Sequence, residues 1–138
     1  MPANQKPIFP LYPVIGIASL VSPTAVSSRA KITGVTGLTE LTPVSTNGKK
    51  ITAISVKASA TTVATNLFIW LYDGTNSNLI DEIPVTAVTA GNTTESFSLY
   101  KNYELANGAS IVLPPTYKLL VSVSVQQNLT VFAHGGDY

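Results

Sequence analysis

The chain contains no cysteine, one histidine (His134), one methionine, one tryptophan and only 11% charged residues. Without cysteine there are no disulfides and no thiolate metal sites. Acid–base and nucleophilic catalysis need titratable or nucleophilic groups gathered together, and this chain has few to gather. Lys49 and Lys50 are the only adjacent basic residues, and the net charge is +1. A nucleic-acid binder usually shows a basic stripe or patch, so none is expected as a partner. No run reaches the roughly 18 consecutive apolar residues of a membrane helix. The composition therefore points away from an enzyme, a cofactor, a small-molecule substrate, nucleic acid and a membrane.

What is present is a β-forming chain. Its 138 residues suggest one domain, long enough to bury roughly two-thirds of its unfolded surface. A hydrophobic content of 45% suits a globular chain. The charge content is well below the typical value of about 25%. A surface with so few charges is poorly protected against association, which suggests that much of it is covered in the working state. The start, Met1-Pro-Ala-Asn-Gln-Lys-Pro7, does not read as a signal peptide, because Pro7, Pro10 and Pro13 interrupt the apolar stretch that follows. Synthesis in a cytoplasm is expected. The Asn92 and Asn128 sequons matter only in a eukaryotic secretory pathway.

Residues 1–25 differ from the rest and hold five of the nine prolines. Proline fixes φ, and the residue before it is pushed toward extended conformations. This segment reads as an extended N-terminal arm, with Ile8, Phe9, Leu11, Tyr12, Val14 and Ile15 as protein-interface candidates. Two placements are open. The arm packs on its own domain, with a first strand at Val14–Leu20, or it lies on a neighbouring subunit, which its extended reach of roughly 80 Å permits.

Residues 26–138 read as a single all-β domain, an antiparallel β-sandwich of jelly-roll type. The expected strands are Leu38–Val44, Ile51–Ser59, Leu67–Tyr72, Leu79–Val85, Glu95–Leu99, Ser110–Leu113, Tyr117–Val125 and Leu129–His134. Asn47-Gly48, Asp73-Gly74 and Asn107-Gly108 supply turns that favour positive φ. Leu119, Val121, Val123 and Val125 alternate with Ser122 and Ser124, as on a half-buried strand. Leu67–Tyr72 is apolar on both faces. It is either a central strand covered on both sides or a strand whose outer face meets another subunit. On the second reading Phe68, Trp70 and Tyr72 form a protomer interface. A sugar-binding platform of Trp70, Tyr72, Phe68, Tyr100, Tyr103 and Tyr117 is the weaker interpretation of these aromatics.

Other constellations are thin. His134 has Asp137 nearby in sequence, but there is no Gly-x-Ser-x-Gly elbow, and a strand-end histidine at a surface is the simpler reading. Asp81 and Glu82 are adjacent in a strand, so their carboxylates should point apart. Asp73-Gly-Thr-Asn-Ser-Asn78 has the oxygen-rich side chains of a calcium loop without its terminal glutamate, and a hairpin loop is expected instead. No catalytic residue and no metal site is assigned.

Four stretches carry a resemblance: Ile54-Ser-Val-Lys-Ala58, Leu67-Phe-Ile-Trp-Leu-Tyr-Asp-Gly74, Glu82-Ile-Pro-Val-Thr-Ala87 and Phe132-Ala-His-Gly-Gly-Asp-Tyr138. They resemble small virion structural proteins of tailed bacteriophages, some of which decorate or cement the capsid as trimeric β-sandwich knobs. The resemblance covers about two-thirds of the chain and brings no catalytic residues. It implies a non-enzymatic protein on the capsid exterior, made in the bacterial host cytoplasm. Its partners would be the major capsid protein and itself, as a homotrimer. The alternative is a tail or head-fibre component that binds carbohydrate on the host surface.

Overall fold

A computed structural model describes residues 12–103 and 111–138. Among these residues all regular structure is β. Ten strands follow in chain order: β1 (Tyr12–Leu20), β2 (Ile32–Thr33), β3 (Thr39–Glu40), β4 (Lys49–Lys57), β5 (Thr65–Tyr72), β6 (Asn76–Val85), β7 (Ser98–Asn102), β8 (Ile111–Leu113), β9 (Lys118–Val123) and β10 (Leu129–Asp137). They form two antiparallel sheets. One runs β1-β10-β4-β7, with β8 also on β4, and the other runs β2-β6-β5-β9-β3.

Apart from the two-residue β2, this order is that of a jelly roll. The chain crosses repeatedly between the sheets, so that the first and last strands become neighbours while β4 and β5 lie in opposite layers. The core fills the space between the layers. Leu20, Ile54, Val56 and Val131 come from one sheet, and Leu67, Ile69, Ile83, Leu119, Val121 and Val123 from the other. Period-two alternation produces this core, except where bulges shift the register of β4 and β6.

Local chemistry explains the punctuation. Asp73 closes the β5–β6 hairpin, its Oδ1 accepting from the backbone N–H of Thr75 (2.9 Å) and Asn76 (2.8 Å), while Gly74 takes φ +99°. These backbone bonds hold the Asp73 carboxyl below its usual range. The oxygen-rich Asp73–Asn78 stretch is thus a hairpin connection running into β6. A bulge between His134 and Gly135 brings β10 against β4 so closely that a side chain at 135 would strike the Lys50 carbonyl.

Several boundaries differ from the sequence reading. β7 begins at Ser98 instead of Glu95, because its partner β4 ends at Lys57, which pairs with Ser98. β3 is reduced to two residues, since the amides of Leu41 and Thr42 both turn to the Leu119 carbonyl. β2 had no sequence signal. The Asn107-Gly108 turn lies outside the described residues. Of the two placements open for the arm, its described part takes the first: Tyr12–Leu20 is an integral strand, starting two residues before the expected Val14 and paired with β10 from Tyr12↔Asp137 to Leu20↔Leu129. The sandwich therefore includes residues assigned to the arm, and this portion packs in cis.

Candidate interaction surface

Each sheet has an outer face, and the two faces are treated differently. On the β2-β6-β5-β9-β3 sheet, Phe68, Trp70 and Leu120 form a second buried cluster. The connection from β1 to β3 lies over them, contributing Val26, Ile32 and Leu38. The Arg29 guanidinium sits 5.2 Å from the centre of the Phe68 ring and 2.8 Å from Glu82 Oε1. Trp70 donates its Nε1–H to Ser122 Oγ at 2.9 Å, which satisfies the one polar group of the indole.

This corrects the expected sandwich-face interface. Phe68 and Trp70 are buried by their own chain, and Tyr72 is half-buried with its hydroxyl on the Gly74 carbonyl. β5 is a central strand covered on both sides, so Phe68 and Trp70 are closed to a second protomer. A sugar platform on Trp70 fails for the same reason, and Tyr103 is tied by its hydroxyl to Asp81.

The outer face of the β1-β10-β4-β7 sheet has no such cover among the described residues. Strand register sets its rows. One row runs Ile15, His134, Ala53, Asn102, and the next runs Ile17, Phe132, Ser55, Tyr100. A third, Ser19, Thr130, Lys57, Ser98, ends the face, with Lys57 Nζ 3.2 Å from Glu95 Oε1. Ile15, Ile17, Tyr100 and Val112 are 61%, 59%, 62% and 59% exposed. Large side chains left open together on one flat face mark a contact surface. The two central rows carry no carboxylate, lysine or arginine, so desolvating them costs little.

His134 lies within this face. Its Nε2 is 3.0 Å from Ser55 Oγ, and its ring centre is 5.9 Å from that of Tyr100. A serine and a histidine in contact are two members of a nucleophilic set, which also needs a group that orients the imidazole. Asp137, the carboxylate nearest in sequence, is instead paired with Lys49 at 2.5 Å. His134 and Ser55 thus place polar atoms between the apolar side chains of this face.

The interface residues expected on the arm divide. Ile8, Phe9 and Leu11 lie outside the described residues. Ile15 stands on the open face. Val14 has the opposite parity and points toward the core side with Gly16, Ala18 and Leu20, while Tyr12 is largely exposed at the strand's start. The sequence reading places Tyr100 only in a sugar platform and does not assign Ile17, Val112 or Phe132 to a surface. Ile17 is two residues from Ile15 and readable from alternation. Phe132 shares parity with Thr130 and His134, an aromatic in a polar row, which was a usable signal. Tyr100 and Val112 join the face only through strand order.

The two carboxylates of β6 diverge as alternation requires. Glu82 meets Arg29 on the covered outer side, whereas Asp81 turns to the rim between the sheets. There its Oδ2 accepts from Lys101 Nζ and from the Tyr103 hydroxyl, both at 2.6 Å. Burial alone would raise the Asp81 carboxyl, but these bonds outweigh it and hold it below its usual range. Burial, then the bond to Asp81 and its charge, push the Tyr103 phenol well above its ordinary value. This rim cluster clamps β7 to β6 across the layers and is structural. Comparisons with protein-family models, curated proteins and solved structures found no match.

Proposed function

We propose that this chain is a non-enzymatic structural protein of a tailed-phage virion, which decorates or cements the capsid by binding the outer surface of the shell. The observation that carries the contact is the open outer face of the β1-β10-β4-β7 sheet, with Ile15, Ile17, Phe132 and Tyr100 across two rows that carry no charged side chain. A cement protein acts through bound area, and a rigid sandwich with one uncovered face suits that work. The resemblance of its sequence stretches to small phage virion proteins supplies the biological setting. Jelly rolls recur in viral capsid proteins and in lectins, an analogy of fold only. A symmetric shell repeats one contact many times, so modest affinity per site becomes large avidity. Binding the assembled shell more tightly than loose subunits would stabilise it by linkage.

The test is the copy number of this chain in purified virions relative to the major capsid protein. Comparable copies support a decorating layer, a handful per particle moves the chain to tail or fibre, and absence overturns the reading. Tyr100→Glu, on the exposed part of the face, should abolish attachment to purified shells while leaving the fold intact. Undiminished attachment would remove this face from the contact. The carbohydrate-binding alternative now rests on Tyr100, whose exposed ring stands beside the polar atoms of His134 and Ser55, and a glycan array would detect it.

A further inference from the structure

Among the described residues β1 forms an open edge of its sheet. Tyr12–Leu20 is nine residues long and carries no charge. Natural edge strands are usually short, charged, bulged, covered or interrupted by proline, and of these devices β1 has only Pro13, near its start. The opposite edge of the same sheet fits that rule, since β7 has five residues and includes Lys101. β1 pairs with β10 along its whole length without a bulge.

Two observations show which backbone groups face outward. The His134 carbonyl accepts from Thr52 Oγ1 of β4 at 3.1 Å. In an antiparallel ladder the N–H and C=O of one residue point the same way, so His134 turns toward β4 and away from its β1 partner, Ile15. Ile15 then directs its own N–H and C=O to the open edge, and alternation adds Pro13, Ile17 and Ser19. Pro13 agrees independently, because a residue without an N–H belongs where no ladder bond to β10 is lost.

We propose that this edge pairs with the same edge of a second copy of the chain, antiparallel about a two-fold axis, joining two sheets into one. A two-fold contact sets a strand against itself. A charge at or near the axis would face its own copy across the seam, which is destabilising, and β1 carries no charge. The outward N–H groups of Ile15, Ile17 and Ser19 and the carbonyls beside them are satisfied reciprocally by a second β1. Ile15 and Ile17 of both copies become cross-strand neighbours on the outer face, which gains apolar area while remaining open. The expected protomer seam comprised Phe68, Trp70 and Tyr72, of which the chain itself buries the first two. A two-fold pair uses the edge that is left. This inference does not depend on the shell-binding reading.

Sedimentation equilibrium and amide hydrogen exchange on the purified full chain, from about 1 to about 100 µM, test it. The expected result is a monomer–dimer equilibrium in which the amides of Ile15, Ile17 and Ser19 gain protection with concentration. Ile17→Lys places two like charges near the axis at an exposed position. It should weaken the dimer by about tenfold or more without moving the thermal midpoint at the lowest concentration, where wild type and variant are both monomeric. Ser19→Asp, also exposed, is the second variant and should act likewise. A monomer at every concentration, a trimer, or open-ended growth through β1 and β7 would overturn the proposal. So would edge-amide protection that does not fall on dilution, which would mean cover from within one chain, or a dimer that both variants leave intact.

Discussion

Replacing Asp81 by asparagine keeps the shape of the side chain and removes its charge. In the folded chain Asp81 Oδ2 accepts from Lys101 Nζ and the Tyr103 hydroxyl, and Oδ1 accepts from the Glu82 amide at 2.8 Å. A hydrogen bond to a charged group contributes about 1.5–3 kcal/mol, against about 0.5–1.5 for a neutral one. Neutralising Asp81 should thus cost about 1 kcal/mol for each of the two inter-sheet bonds. Lys101 is more than a third exposed, so solvent screening reduces its share. The expected loss at neutral pH is about 1.5 kcal/mol, or about 5 °C in thermal midpoint for a domain of this size. Urea denaturation with a Tyr103→Phe double-mutant cycle measures it. The sign with pH follows from linkage. The folded carboxyl lies below its unfolded value of about 4. Its contribution is therefore whole above that value and is lost as pH falls through the lower folded one. The gap between wild type and Asp81→Asn should stay constant from about pH 5 to 8 and close in stronger acid. A loss under about 0.5 kcal/mol at pH 7, or a gap unchanged at about pH 2, would refute the clamp.

Three further perturbations probe the fold. Ser122→Ala leaves the buried Trp70 Nε1–H without its acceptor and should cost about 1–3 kcal/mol by denaturant unfolding, with no change in oligomeric state. Asp137→Asn strips the partner from the buried Lys49 ammonium. It should destabilise by about 2–4 kcal/mol, somewhat less than for a wholly buried pair because Asp137 is partly open to water. Gly135→Ala drives a Cβ into the Lys50 backbone and should cost about 3 kcal/mol or more, read as loss of amide protection first along β10 and β4.

Much of this protein is legible along the chain. Period-two alternation in Leu119–Val123 and the doubly apolar run Leu67–Tyr72 are local properties, so strand existence, the all-β class and the core side of β9 follow from the residues alone, but the expected half-buried strand does not: Leu120 and Ser122 are buried as well, and Val125 is exposed beyond the strand's end. The Asp73-Gly74 hairpin is equally local, because its turn is closed by bonds within four residues. The divergence of Asp81 and Glu82 needs only the geometry of a strand. Scarce charge and absent cysteine likewise narrow the chemistry before any fold is known.

Tertiary structure decided which surfaces are free. Nothing local distinguishes Phe68 and Trp70 from an exposed aromatic stripe. They are buried because Val26, Ile32 and Leu38, some 30 to 45 positions earlier, are laid over them by the β1-to-β3 connection. Conversely, Ile17, Phe132 and Tyr100 become one surface only when β1, β10, β4 and β7 line up in that order. Alternation assigns a residue to one side of its strand but cannot say what stands opposite that side. A side chain's exposure depends on elements distant in sequence, and that is a property of topology.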